Sequence, residues 1–179
     1  MRALIVFESM YGNTHAIADA LASGLRAHCD VEVVHVGKVT PDQVVAADFL
    51  VVGGPTHVHG MTSATTRKGA VDTAAKSGGA LAIDPSASEV GLRDWFEELP
   101  DVRGHGTPAV AFDTRTDAPV LLTGHASKGI AARLKKHGYA LAAEPESFLV
   151  DKTNHLLVGE LERATAWAET VLTTSMAAH

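Results

Sequence analysis

Apolar residues recur along this chain with two periods, and the two alternate. Ala3–Phe7 is a continuous apolar run, the pattern of a strand covered on both faces. From Asn13 to His28, Ile17, Leu21 and Leu25 fall at i, i+4 and i+8, with Ala16, Ala20 and Gly24 beside them, which predicts one face of a helix. Val31–Val36 is β-branched but carries Glu32 and His35, so it predicts a strand at a sheet edge. Phe49–Gly53 predicts a second central strand, stopped by Gly53-Gly54-Pro55. Ser63–Lys76 has helical character. Loops follow at Gly78-Gly79 and Asp84-Pro85-Ser86, then a short amphipathic helix on Leu92, Trp95, Phe96 and Leu99, ended by Pro100. Ala109–Phe112 is another buried strand. Ser127 suits the N-cap of a helix running to His137, with Lys135, Lys136 and Gly138 favourable at its end. Tyr139–Val150 is strand-like but bent or at an edge because of Pro145. A last helix spans about Gly159 to Ser175, with Leu161, Thr165, Ala168 and Leu172 inward.

Strands alternating with helices imply an α/β fold, a parallel sheet of five strands with right-handed crossovers and helices on both faces. The length of 179 residues suits one domain, 1–179, with a substantial core. In such sheets a ligand lies beyond the carboxyl ends of the strands, where the winding direction reverses.

The first of those ends carries the strongest signal. Glu8-Ser9-Met10-Tyr11-Gly12-Asn13-Thr14 joins the first strand to the first helix. A helix start offers unpaired N–H groups and a partial positive charge. Ser9, Asn13 and Thr14 add side-chain donors, and Gly12 lets the backbone curl round an anion. The loop holds no lysine or arginine, which suits a monophosphate better than a triphosphate. It lacks the Gly-Lys-Ser/Thr ending of a P-loop and the spaced glycines of a dinucleotide fingerprint.

The stretch resembles the FMN-phosphate loop of the flavodoxin family. That pattern is two apolar residues, an aromatic, any residue, Ser or Thr, two more, a small residue, one more, Thr, three more and Ala. Ile5, Val6, Phe7, Ser9, Gly12, Thr14 and Ala18 fill every fixed position. The resemblance implies the strand order 2-1-3-4-5, FMN as cofactor, and cofactor contacts from three loops. The first supplies Ser9, Met10, Tyr11, Gly12, Asn13 and Thr14. The second supplies Pro55, Thr56, His57, Val58, His59 and Gly60, and the third Asp113, Thr114, Arg115 and His125. One departure stands out: neither ring-flanking loop holds a Trp or Tyr, so either flavin affinity is lower than in carrier flavodoxins or another segment covers the ring, as the long 61–107 stretch could.

Other chemistry is sparsely represented. His57 and His59 could begin a metal site with His105, His125 and Asp113, but no cysteine cluster or His-Glu-x-x-His pattern supports one. No catalytic triad order or paired-carboxylate spacing is present, so any chemistry belongs to the cofactor. Arg115 could stand near the flavin ring, receive an anionic substrate, or pair with Asp113 or Asp117; Asp113 could simply cap its loop. Glu144 and Glu146 read as solvated. Only Glu8 represents the acidic cluster that a receiver domain needs after its first strand.

Net charge is −6 with scattered basic residues, which argues against a nucleic-acid surface. No apolar run approaches the roughly 20 residues that span a bilayer. The N-terminus lacks a signal-peptide pattern, and the single cysteine, Cys29, reads as structural; a cytoplasmic location is expected. The function that follows is a cytoplasmic FMN-binding redox protein carrying electrons or hydride equivalents to a redox partner protein or a small acceptor such as a quinone. Shuttle and small FMN-dependent oxidoreductase stay open. The rival is a module of the same fold that binds no flavin and serves as a ligand-binding or interaction protein.

Overall fold

The computed structural model describes residues 1–57, 59–87, 89–99 and 106–177. The strands are β1 (Arg2–Phe7), β2 (Asp30–His35), β3 (Phe49–His57), β4 (Gly60–Met61), β5 (Pro108–Thr116), β6 (Ala140–Leu141) and β7 (Glu146–Val150). The helices are α1 (Asn13–Leu25), α2 (Pro41–Ala46), α3 (Ala64–Lys76), α4 (Leu92–Glu98), α5 (Val120–Thr123), α6 (Ala126–Lys136) and α7 (Glu160–Ala177).

The sheet runs β2-β1-β3-β5-β6, with β7 also on β5 and the short β4 folded back onto β3. Pairing is parallel throughout, except for β3 with β4. β6 pairs with the start of β5 and β7 with its end, so the two occupy one edge position on either side of the Pro145 break. Counted by position, the order is the 2-1-3-4-5 of the flavodoxin-like fold. β2 lies at the other edge, as its mixed composition predicts.

Two cores flank the sheet. On one face α1 and α7 cover Ile5, Phe7, Val51, Phe112 and Phe148. On the other, α2, α4 and α6 cover Leu4, Val6, Leu50, Val52 and Ala111 with Trp95, Phe96, Ile130 and Leu134. Alternate residues of each central strand therefore face opposite cores, which is why these strands read as unbroken apolar runs. Trp167 packs edge-on against Phe148, and Cys29 is half-buried after α1, its thiol donating to the Leu25 carbonyl at 3.3 Å.

Several expectations are corrected. Gly53-Gly54-Pro55 does not stop its strand: β3 runs on to His57. A Cβ on Gly53 would lie 2.2 Å from the Phe112 ring, so the glycine makes room for a neighbouring core side chain rather than a turn. Pro55 is tolerated because pairing with β1 ends at Phe7–Gly53, so its missing N–H breaks no bond to β1. β5 likewise extends past Phe112 to Thr116. Ser127 is not the N-cap of α6, because His125 is; the first N–H groups of α6 find acceptors on other elements. In α7, Ala168 and Leu172 are buried as predicted, but Leu161 is exposed and Ala164 and Val171 complete the inward face. A Cβ on Gly24 of α1 would stand 2.3 Å from the Thr165 carbonyl oxygen, so the glycine lets α1 and α7 approach closely. Glu146 is not merely solvated: Arg163 donates to it at 2.7 Å. The sequence pattern missed α2, although Thr40-Pro41-Asp42-Gln43 spells a capping box that the structure forms.

Candidate functional site

The carboxyl ends of β1, β3 and β5 surround a cleft of about 210 Å³. Its floor is the β1–α1 loop. Gly12 sits in the left-handed region at φ 90 as the N-cap of α1, with no side-chain cap on that helix and no acidic residue in its first turn. The N–H groups of Asn13, Thr14 and His15 have no partner inside the helix, so this loop is positively polarised without a lysine or arginine of its own.

Met10, Tyr11, Asn13, Thr14, Pro55, Thr56, His57, Thr114 and Arg115 all line this cleft, so residues from the three predicted loops do converge. Three more line it that the sequence reading missed: Thr116, Val150 and Asn154. Asn154 has φ 64, and its carbonyl accepts the Asn13 side-chain amide at 2.9 Å. A signal existed: Asp151 closes a turn by accepting the backbone N–H groups of Thr153 and His155, a local bond that Asp favours.

Other predicted residues lie beside the cleft rather than on it. Ser9 is buried and its hydroxyl accepts the Gly12 N–H at 3.1 Å, so it shapes the loop. Asp113 is wholly buried, and its carboxylate accepts the Ser127 N–H at 2.7 Å. It therefore serves the start of α6 rather than facing the cleft. Thr56 accepts the neighbouring Ala126 N–H at 2.9 Å. The two loops thus supply the acceptors that the unpartnered N–H groups of α6 require, which displaces Ser127 from the cap. His125 Nδ1 lies 3.0 Å from the Ser147 hydroxyl, away from the cleft. His59, exposed at φ 69, bridges to Gly124; Gly60 belongs to the β3–β4 hairpin. Val58 and His105 lie outside the described residues. Among the described residues no group of three or more His, Cys, Asp or Glu could hold a metal.

Arg115 makes no ion pair with Asp113 or Asp117 among the described residues. Its guanidinium donates to the carbonyls of Thr116 (3.2 Å) and Ala118 (3.0 Å) and to the Thr123 hydroxyl (3.5 Å). It thereby holds α5, which presents exposed Val120, Leu121 and Leu122 beside the cleft. Burial lowers the pKa of His57, favouring a neutral imidazole on the cleft wall. Neither tryptophan lines the cleft: Trp95 lies in the core below α4 and Trp167 on the opposite face.

The described part of the 61–107 stretch places no aromatic ring on the cleft either and is fastened to the β1–α1 loop. Tyr11 donates to the Ala70 carbonyl at 2.9 Å, and the Asp84 N–H donates to the Met10 carbonyl at 2.8 Å. The anchor beneath is Glu8, the charged residue closing the first apolar run. It accepts hydrogen bonds from the Thr62 hydroxyl and, at 2.9 Å, from the Leu92 N–H; burial raises its pKa. Asp84, also buried, accepts from Ser86 and lies 3.2 Å from His15 Nδ1. The hydroxyls and N–H groups around Asp84 hold its pKa below the usual range against the opposing effect of burial, so a carboxylate stands behind the β1–α1 loop with His15 as its neighbour.

A family model for flavodoxin matches residues 5–85. No curated protein matches the chain in sequence. Solved structures match it in fold. Oxidised Flavodoxin 1 from Bacillus cereus gives a TM-score of 0.68 at 16% identity, over 97% of this chain and 98% of that one. A flavodoxin from Streptococcus pneumonia TIGR4 gives 0.66 at 22% identity, over 97% and 99%. Rubredoxin oxygen:oxidoreductase from Desulfovibrio gigas gives 0.65 at 19% identity, over 98% of this chain but 36% of that one.

Proposed function

On a chain that is flavodoxin-like in fold throughout and in sequence over its first half, we propose that the cleft binds FMN and that the protein carries reducing equivalents in the cytoplasm. The observation that carries this reading is the α1 start, with Gly12 in the left-handed region and Thr14 at the cleft, opening between Pro55–His57 and Thr114–Thr116. A phosphate fits there: dipoles and N–H groups meet it, and Gly12 keeps side-chain atoms out of the loop's curl. The Asp84 carboxylate also stands at this helix start, 4.0 Å from where a Gly12 Cβ would lie and beside His15, so the phosphate is expected on the Thr14 side of the loop, where the cleft opens.

The ring end is thinner. A cleft of about 210 Å³ is below the usual range for a site enclosing a whole small molecule, roughly 300–1,000 Å³. Part of the ring therefore stays open to a partner, which supports exchange with a redox protein or a small acceptor such as a quinone. Pro55, His57 and Val150 flank that end, and Arg115 keeps α5 at its rim. The flavin, when bound, supplies the electron chemistry; the chain binds it, orients it and leaves one side accessible. No helix among the described residues is long and apolar enough to cross a membrane.

Titration of the apo-protein with FMN, riboflavin and FAD, followed by flavin fluorescence, tests the reading. FMN is expected to bind most tightly. Equal affinity for FMN and riboflavin would remove the phosphate site, and no binding of any flavin would favour the rival module.

A further inference from the structure

A separate cavity, of about 420 Å³, lies between α4 and the second half of α6, lined by Arg93, Phe96, Glu97, Arg133, Lys136 and His137. None of these residues lines the cleft at the α1 start. Arg93, Arg133 and Lys136 bring three positive charges to one concave space, and Glu97 brings one negative. Two positive charges stay uncompensated before His137 is counted, in a chain whose net charge is −6. Among the described residues none of the three cations forms an ion pair.

The end of α6 favours cations through its dipole, which accounts for Arg133 and Lys136. Its last carbonyls, however, are already taken: those of Arg133, Leu134 and Lys135 accept the N–H groups of His137, Gly138 and Tyr139. The dipole also leaves Arg93 unexplained. Arg93 stands in the first turn of α4, where a cation is disfavoured. It is held there by carbonyls: its Nε donates to Thr62 at 2.7 Å and its Nη2 to Met61 at 2.8 Å. The guanidinium is thus fixed in place, and its Nη1 has no hydrogen-bond partner among the described residues. Arg133 makes one bond, from Nη1 to the Gly129 carbonyl at 3.3 Å. Partial burial, and then the neighbouring Arg93, lower the Arg133 pKa against the opposing effect of Glu97.

We propose that this cavity binds a small phosphate monoester, its dianionic phosphoryl group between Arg93, Arg133 and Lys136 and its organic part against Phe96. A phosphate monoester carries roughly −1.5 to −2 charge at pH 7, which matches the surplus on the cavity wall. Guanidinium groups donate to phosphoryl oxygens in pairs, with charge-assisted bonds. Phe96 stacks on His137 with ring centroids 6.0 Å apart and planes at 25°, so two flat rings form one wall. The volume falls within the usual range for small-molecule sites, roughly 300–1,000 Å³. Nothing in this site depends on flavin, so the proposal holds or falls apart from the flavin reading.

The probe is phenyl phosphate, titrated calorimetrically into the protein in phosphate-free buffer, with phenyl sulfate as a singly charged analogue of similar shape. Wild type is expected to bind phenyl phosphate saturably and well ahead of phenyl sulfate, with amide NMR shifts in residues 93–97 and 133–137. Arg133→Gln and Lys136→Gln, folded by circular dichroism, are expected to weaken it, the first by about tenfold or more. Glu97→Gln removes the opposing charge and should tighten binding several-fold, a gain that a merely structural role would not produce. The proposal is overturned if wild type does not bind phenyl phosphate, or if phenyl sulfate binds equally, since the cluster is then a general anion surface. Shifts confined to residues 9–15 also overturn it, because the β1–α1 loop then takes the probe. So does an affinity unchanged in all three variants.

Discussion

Thr14 Oγ1 lies 2.7 Å from Thr114 Oγ1, a buried hydrogen bond that joins the first turn of α1 to the end of β5 across 100 residues. It ties the α1 end of the cleft to the strand on its far side. If FMN sits as proposed, Thr14→Val removes this bond and a hydroxyl next to the phosphate position. Hydrogen bonds to charged groups contribute about 1.5–3 kcal/mol, so FMN affinity should fall about tenfold or more and riboflavin affinity much less. Thr114→Val keeps the Thr14 hydroxyl and should weaken FMN only a few-fold. Parallel titrations with both flavins check this; an unchanged FMN affinity in folded Thr14→Val would place the phosphate elsewhere.

Gly124 tests the ring end. It has φ 71, and a Cβ there would stand 2.3 Å from the His59 carbonyl oxygen, where the second and third loops meet. Gly124→Ala should push those loops apart, at a backbone cost of about 1–2 kcal/mol. FMN and riboflavin should weaken by similar factors, unlike the phosphate-selective loss in Thr14→Val. A phosphate-selective loss here would contradict the placement of the ring.

Arg115 is better described as a brace than as a flavin counter-charge, because its bonds go to Thr116, Ala118 and Thr123. Arg115→Ala should speed amide hydrogen exchange in residues 117–124 while leaving β5 protected. A shifted flavin midpoint potential with unchanged exchange in that segment would restore the electrostatic role instead.

His35 governs a pH dependence. It is buried beneath Phe7, its Nδ1 accepts the Gly37 N–H at 3.1 Å, and burial lowers its pKa from 6.5 to about 4. The folded protein therefore binds fewer protons at this site than the unfolded chain between those values. Its contribution is intact above pH 6.5 and is lost as pH falls toward 4, by at most about 3 kcal/mol. His35→Asn, whose side-chain oxygen can accept the same N–H, should flatten thermal stability between pH 6.5 and 4. Glu8 acts oppositely, since its raised pKa makes stability fall as pH rises above the carboxylate range. It is present in both proteins, so the difference between their Tm–pH curves isolates His35. An unchanged acid slope would show that His35 is not the buried neutral group.

The sequence alone determined the alternation of strands and helices, the buried character of β1, β3 and β5, and the phosphate-type loop at residues 8–14. All three are local: they depend on hydrophobic period, on glycine and hydroxyl placement, and on where a helix begins. It also announced two features that went unread, the capping box at Thr40–Gln43 and the charge on Glu8 at the end of an apolar run. What only the tertiary structure decided is which partner each polar group meets. Asp113 looked like a cleft residue because it follows a central strand, yet α6 needs acceptors for its first N–H groups and takes it, and it takes the hydroxyl of Thr56 as well although Thr56 keeps its place on the cleft wall. Gly53 looked like a stop because nothing in its neighbours reveals the Phe112 ring above it. The space behind Met10 arises where α3 meets Ile83, Ala87 and Glu89, and the start of α4 is held to Glu8 and Arg67 from two other stretches. Local propensity acts over a few residues, whereas hydrogen-bond satisfaction and packing are settled between elements far apart in the chain, and a one-dimensional pattern carries no record of that pairing.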